Sequence, residues 1–294
     1  MANLKEIRAR IESTKNTQQI TKAMKLVSAA KLRKAQHNIV NMRPYALALK
    51  SVIADIALTQ KITHPLMEKK TEVKKVLLVV VTSDRGLAGA FNSSIIKFAE
   101  NYIKDRPAGN EKIDLFFIGR RGHDYFIKKG ITPVHYISKL DKDISYPLAS
   151  KVAEQLLKKY LAGEYDEVRL IYNEFKSAIS QVVNCETLIP ISVESNSFGA
   201  EQNHQQFAQD LIFEPEPQVI IEQLLIKHFD LQVYRAMSES VASEHGARMT
   251  AMENATNNAK EMIQILTLTY NKARQEKITT ELIEITSGAE ALNG

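Results

Sequence analysis

The sequence predicts an α/β protein in which two very long terminal helices flank a compact central domain. Three observations support this prediction: no glycine precedes Gly86, apolar residues recur at a seven-residue step near the C-terminus, and short apolar runs alternate with helical segments in between. We therefore divide the chain into a first helical segment at 1–62, an α/β domain at 70–195, a mobile connector at 196–214 and a last helical segment at 215–294.

The first helix is predicted over residues 3–58, because strong helix formers fill most positions before Tyr45. Asn3 and Glu6 have the spacing of a capping box. Pro44 is expected to kink the helix without ending it, since helical spacing of apolar residues continues beyond it. The apolar side chains at helical spacing form a narrow stripe of the kind seen at a coiled-coil seam: Leu4, Ile7, Ile11, Ile20, Met24 and Val27.

The last helix is predicted to start at Pro217, since proline suits a first helical turn, and to run to about residue 286. One seven-residue row runs from Leu224 to Ala273, and a companion row runs from Tyr234 to Thr269. Such a repeat predicts a coiled coil with a left-handed supercoil. Three polar residues interrupt the rows, where they are expected to weaken pairing locally and fix the register: Ser238, His245 and Arg248.

Strands and helices alternate in the central segment. Strands are predicted at 74–81, 113–119, 168–175 and 179–189, and helices at 91–104, 124–129 and 147–162. The alternation implies a mainly parallel sheet covered by helices, and the last two strands, adjacent in sequence, form an antiparallel hairpin at one edge.

Charge is distributed unevenly along the chain. Residues 1–50 carry eleven Lys and Arg against Glu6 and Glu12, a local charge of +9, so the remainder sums to −4 of the net +5. An acidic protein, nucleic acid or an anionic membrane could complement this basic helix, and a solvated charged face is the plain alternative. Few aromatic residues accompany the basic ones, which disfavours nucleic acid, and no apolar run is long enough to span a bilayer.

The sequence contains no convincing catalytic constellation. The Thr82–Gly89 loop lies between a strand and a helix, where α/β proteins bind phosphates, but it fits neither common glycine-rich nucleotide motif. Ser28 and Lys31 match an acylating-enzyme motif only by chance, because its companion elements are missing. The seven histidines make no metal-ligand spacing, and Cys185 has apolar neighbours typical of an inert thiol. We expect no cofactor, no metal and an architectural or mechanical role.

Several stretches of the chain resemble the gamma subunit of F-type ATP synthases. They are KEIR at 5–8, NTQQITKAM at 16–24, TSDRGL at 82–87, and ITTELIE at 278–284 followed by Gly288 and Ala289. The resemblance covers nearly the whole chain. The chain lacks the cysteine-bearing insertion and the transit peptide of chloroplast members of this family. Their absence favours a bacterial-type complex.

The resemblance implies that the terminal helices form a long antiparallel coiled coil beside a central Rossmann-like α/β domain. It also implies a non-catalytic rotor at the centre of three alpha and three beta subunits, with the epsilon subunit and the membrane c-ring as further partners. Rotation would couple ion flow to ATP synthesis or hydrolysis in that ring. The complex would lie at the cytoplasmic face of the cell inner membrane, without insertion of this chain into the bilayer.

The resemblance also implies partner contacts at individual positions. Near the end of the last helix, Arg274, Gln275, Thr279 and Glu281 match family positions that meet the ring. Met24 and Arg248 match positions on the facing helices, and Glu214 lies in a segment that faces the rotor ring, where Phe213 replaces a tyrosine of many relatives. Without the family, seam packing for Met24 and solvated charges for Arg274 and Glu281 would be the preferred interpretations.

Two other functions compete with the rotor. One is a coiled-coil adaptor that binds nucleic acid or acidic proteins through its basic N-terminal helix. The other is a nucleotide-binding enzyme that uses the Thr82 loop.

Overall fold

A computed structural model describes residues 4–60, 64–70, 72–105, 112–138, 144–191 and 216–293. The predicted connector at 196–214, Asn3, Phe213 and Glu214 lie outside these residues. The chain divides into two compact units. Unit 1 consists of residues 1–28 and 248–294, and unit 2 of residues 29–247. The four segments predicted from the sequence are continuous stretches, whereas each terminal helix is shared between the two units. The predicted segment boundaries remain a prediction.

The two terminal helices are continuous and contribute to both units. Helix α1 spans Leu4–Gln60 and continues through Pro44. Helix α5 spans Pro217–Asn293, so it begins at the predicted proline and ends beyond the expected residue 286.

Five strands of unit 2 form one sheet in the order β3-β2-β1-β4-β5. The strands are β1 (Lys75–Val81), β2 (Lys112–Ile118), β3 (His135–Ile137), β4 (Glu167–Phe175) and β5 (Gln181–Ile189). Strands β1 to β4 pair in parallel, and β4 pairs antiparallel with β5. This arrangement confirms the predicted parallel sheet with an antiparallel edge hairpin.

Helices cover both faces of this sheet. They are α2 (Phe91–Lys104), α3 (Arg120–Lys128) and α4 (Tyr146–Leu161). Alternate residues of β1 enter different cores: Leu77 and Val79 join a cluster with α4 and parts of α1 and α5, whereas Leu78 and Val80 join a cluster with α2 and α3. Burial on both faces explains why β1 is a continuous apolar run in the sequence.

Helix α3 begins four residues before the predicted Asp124. A residue distant in sequence accepts a hydrogen bond from a backbone N–H in its first turn. Gly119 precedes the helix with φ 101°, and as a glycine it has no side chain to cap the first turn. Instead, the Asp84 carboxylate accepts a hydrogen bond from the Arg120 N–H at 2.9 Å. An acceptor that lies 36 residues upstream leaves no local signal in the sequence.

The buried face of α1 in unit 1 differs from the predicted stripe. Ile20 and Val27 are 60% and 58% exposed, whereas Thr21 and Ser28 are buried. Positions 7, 14, 21 and 28 keep a seven-residue step along one side of the helix, and Ile20 and Val27 lie one position away from it. The prediction for these two residues was therefore wrong, because it weighted side-chain polarity above the heptad position.

Candidate functional site

Side chains of α1 and α5 meet in unit 1 with antiparallel register. Thr256 donates a hydrogen bond from Oγ1 to Oγ1 of Thr21 at 2.8 Å, and Lys25 Nζ lies 2.6 Å from Oε1 of Glu253. The α1 number rises as the α5 number falls, so the two helix segments run in opposite directions. The hydroxyl pair satisfies two partly buried polar groups within the seam.

The last part of α5 is exposed on all sides. Every residue from 274 to 290 is exposed, although the helix continues to Asn293. Ile278, Leu282 and Ile285 lie at i, i+4 and i+7, which places these apolar side chains on one face of the helix. Within the described part of the chain, no segment covers this face. We call residues 274–290 the exposed end of α5.

Four of the predicted contact residues lie in the exposed end of α5. Arg274 and Gln275 are exposed, and the Gln275 carbonyl accepts a hydrogen bond from Thr279 Oγ1 at 2.9 Å. Glu281 is exposed and forms an ion pair with Lys277 at 3.5 Å. An exposed pair of this kind contributes little to stability, so both charges remain available to a partner.

The other predicted contact residues have different surroundings. Met24 is half-buried on α1, and its carbonyl accepts a hydrogen bond from Ser28 Oγ at 2.8 Å. Arg248 is only 8% exposed, which leaves little of its side chain for a partner. Glu214 lies outside the described residues.

Other large apolar side chains of unit 1 are exposed and were not predicted as a site. They include Ile20 and Val27 on α1 and Met262 and Ile265 on α5, all at least half exposed. Ile20 and Val27 belong to the predicted stripe and Met262 to the predicted companion row, so the exposure of these three residues departs from the predicted seam.

The Thr82–Gly89 loop is organised by its own hydrogen bonds. The Ser83 N–H donates to Asn92 Oδ1 at 3.0 Å, and Ser83 Oγ donates to the Arg85 carbonyl at 2.5 Å. Thr82 Oγ1 accepts from the Gly122 N–H at 3.0 Å. These contacts are the local loop network that the sequence offered as the alternative to a nucleotide site.

Among the residues that the structure describes, the reactive groups considered from the sequence do not form a site. Burial raises the pKa of the Cys185 thiol to about 11, so the thiol is protonated and unreactive near neutral pH. The described residues contain no cluster of three or more His, Cys, Asp or Glu that could hold a metal ion. Nor does any described helix have the length and apolar character needed to cross a membrane.

Comparison with known proteins identifies relatives along the full chain. The family described as ATP synthase matches residues 3–292. The ATP synthase gamma chain of Bdellovibrio bacteriovorus is 72% identical over the whole of both chains, and that of Geobacter sp. strain M21 is 47% identical, again over both whole chains.

Solved structures with the same fold come from mitochondrial ATP synthases. A chain in the central stalk and c-ring structure from Tetrahymena thermophila is 31% identical, with a TM-score of 0.61, and the match covers 80% of this chain and 99% of that one. A chain from the Euglena gracilis enzyme is 22% identical, with a TM-score of 0.70 over 98% of this chain and 94% of that one.

Proposed function

The chain belongs to the ATP synthase gamma chain family, and we propose that the exposed end of α5 is the surface through which it acts on the alpha and beta subunits. A gamma chain is a non-catalytic subunit of the rotary complex, peripheral to the membrane, and ATP chemistry takes place in the beta subunits. The c-ring and the epsilon subunit are its further partners. No finding supports the nucleic-acid adaptor or the nucleotide-binding enzyme.

One observation carries the proposal. The exposed end of α5 presents a stripe of Ile278, Leu282 and Ile285 on a helix whose residues are exposed all round. A stripe of large apolar side chains on an otherwise polar surface is typical of a protein interaction site. Arg274, Gln275, Thr279 and Glu281 flank it and provide directional polar contacts.

The surface works through differences in binding between conformations of its partner. Each beta subunit has several states, and a helix contacting them shifts a site only by the difference in its interaction with those states. Since one helix presents different side chains on each side, every angle of rotation favours a different set of beta states. Rotation driven at the c-ring is thereby coupled to ATP synthesis.

Met24 and Arg248 belong to the proposal in a lesser role. Met24 is half-buried on α1, and Arg248 exposes only 8% of its surface. Glu214 is proposed as a contact to the c-ring from its place in the family motif alone. We also propose that the complex lies at the cytoplasmic face of the inner membrane, as expected for a bacterial enzyme.

The test is reconstitution of alpha, beta and this chain carrying Leu282→Gln and Ile285→Gln. Both side chains are exposed in the chain, so its unfolding temperature should stay unchanged while the ATPase rate of the complex falls several-fold. The matched control is Leu161→Gln, which removes a 64% exposed leucine from the end of α4. Unchanged ATPase and coupling in the double variant would contradict the proposal.

A further inference from the structure

One side of α5 in unit 2 is fastened to the β4–β5 hairpin by polar side chains and by a close backbone contact. Arg235, Glu239, Ser243 and Gly246 follow one another at spacings of four, four and three residues. This spacing places them on the same side of the helix. The contacts therefore form a row along α5.

Arg235 connects the helix to both strands of the hairpin. Its side chain is 5% exposed. Nη1 donates to the Tyr172 hydroxyl of β4 at 3.1 Å, and Nη2 donates to the Glu186 carboxylate of β5. Tyr172 also donates to Glu186 at 3.2 Å, which closes a ring of three hydrogen bonds. Nη1 lies 3.4 Å from Glu239 Oε1, one turn further along α5.

Two further contacts hold the helix along the hairpin. Ser243 donates from Oγ to the carbonyl of Asn173 at 3.0 Å, and both residues are buried. At Gly246, an added Cβ would lie 3.3 Å from both Cα and the carbonyl oxygen of Ala178 in the hairpin turn. The helix and the turn therefore approach more closely than a larger residue would comfortably allow.

Energetics indicate that this cluster serves a purpose other than stability. Replacing a buried ion pair by well-packed apolar residues is often neutral or stabilising, because burial of the charges costs as much as their attraction contributes. Desolvation raises the pKa of Glu239, and its Oε2 has no hydrogen-bond partner among the described residues. The cluster is therefore not optimised for stability, but its hydrogen bonds are directional in a way that apolar packing is not.

We propose that this row is the joint that transmits torque between the sheet of unit 2 and helix α5, an inference that rests on the rotor role proposed above. When only apolar contacts hold a helix to a sheet, steric fit between the side chains is all that opposes rotation of the helix about its axis. The joint adds a buried charge at one point and a close backbone contact eleven residues further on, so turning the helix breaks contacts with the sheet. The residues that form it are Arg235, Glu186, Tyr172, Glu239, Ser243, Asn173, Gly246 and Ala178.

The test compares two sets of substitutions in the assembled complex. The joint variant carries Arg235→Met, Glu186→Gln and Glu239→Gln, which removes the charges together and leaves no buried charge without a partner. The matched control carries Arg169→Met and Glu167→Gln. This second pair is partly buried, with bonds of 2.9 Å, and it joins β4 residues to one another and to Tyr102 of α2.

Two measurements are made on each complex. Amide hydrogen exchange in residues 235–246 should accelerate about tenfold in the joint variant, as expected when buried hydrogen bonds are lost locally. The number of ions pumped per ATP hydrolysed should fall, while the rate of hydrolysis is retained. The control should change neither measurement. Faster exchange with unchanged pumping per ATP would overturn the inference, as would exchange that stays slow.

A disulfide provides a rescue that a general defect in folding would not show. Ala178→Cys and Gly246→Cys, in a Cys185→Ser background, place two thiols where the backbones of the helix and the turn approach closely. Because a side chain at Gly246 crowds Ala178, the same cysteine pair in a chain with Arg235, Glu186 and Glu239 unaltered is the reference for the crowding itself. Oxidation of this pair in the joint variant should restore pumping per ATP, and reduction should abolish it again. Failure of the disulfide to restore pumping overturns the joint. Absence of coupling with the unaltered chain would contradict the rotor role itself.

Discussion

At the scale of single residues, Gly119, which links β2 to α3, is a position that does not accept a side chain. Its φ is 101°, and an added Cβ would lie 2.0 Å from the carbonyl oxygen of Thr82. Neither the backbone angle nor the space allows a side chain. The sequence shows a glycine at a strand end, but only the fold brings Thr82 against it.

Gly119→Ala should therefore destabilise the chain by about 3 kcal/mol or more, since backbone strain and a steric clash add together. Chemical denaturation measures the effect. Gly130→Ala is the matched control, because Gly130 has φ 80° with nothing within 4 Å of an added Cβ. That variant should lose only the strain cost of about 1 kcal/mol. Equal losses in the two variants would show that the contact with Thr82 is not real.

His228 is a buried histidine on α5, and it makes stability depend on pH. Burial, together with the nearby charges of Lys50 on α1 and Arg235 on α5, lowers the pKa of His228 to about 4. Gln232 lies 2.9 Å from its Nε2. The unfolded chain binds a proton near pH 6.5 and the folded chain does not, so stability falls as pH drops from about 6.5 to about 4.

The contribution lost across that window is about 3 kcal/mol. His228→Gln should flatten the fall in unfolding temperature between about pH 6.5 and about pH 4. His37→Gln, at an exposed position of α1, is the control for the substitution itself. An identical acid profile in the wild type and His228→Gln would contradict burial of a neutral imidazole.

At the scale of elements, local signals predicted most of the fold. Strand β1 and helices α2 and α4 were predicted to within a residue or two, because apolar periodicity and glycine or proline boundaries mark them. Strand β3 was missed because its three residues are too few for a pattern. The start of α3 was missed because Asp84 acts from a distance, and the α1 seam was misplaced at Ile20 and Val27.

The corrected seam makes a prediction about the pairing of α1 with α5 in unit 1. Thr21→Cys and Thr256→Cys, in a Cys185→Ser background, should form a disulfide on oxidation, because the two hydroxyls lie 2.8 Å apart. Non-reducing electrophoresis detects the cross-link. Ile20→Cys with Thr256→Cys should not cross-link, since Ile20 points away from the seam. Preferential cross-linking at position 20 would restore the original stripe and overturn the pairing of Thr21 with Thr256.

At the scale of the whole molecule, the lack of catalytic motifs was easier to recognise in the sequence than the surfaces proposed to bind other subunits. The exposed end of α5 contains both the family motif and the apolar stripe, so sequence and structure indicate the same segment. Arg274 and Glu281 look like ordinary solvated charges in isolation, because the groups that we propose they contact belong to other chains. The charge of +9 in the first fifty residues would be complemented by a partner with an acidic surface, and such a surface also belongs to another chain.

The most direct measurement of the rotor role follows the angle of this chain inside its complex. Ile179, which is 84% exposed in the hairpin turn, is changed to cysteine in a Cys185→Ser background and carries a bead, while the alpha and beta subunits are fixed to a surface. With ATP, the bead should rotate continuously in one direction, and it should stop when ATP is removed. Sustained ATP hydrolysis with a bead that only fluctuates about one angle would contradict the account.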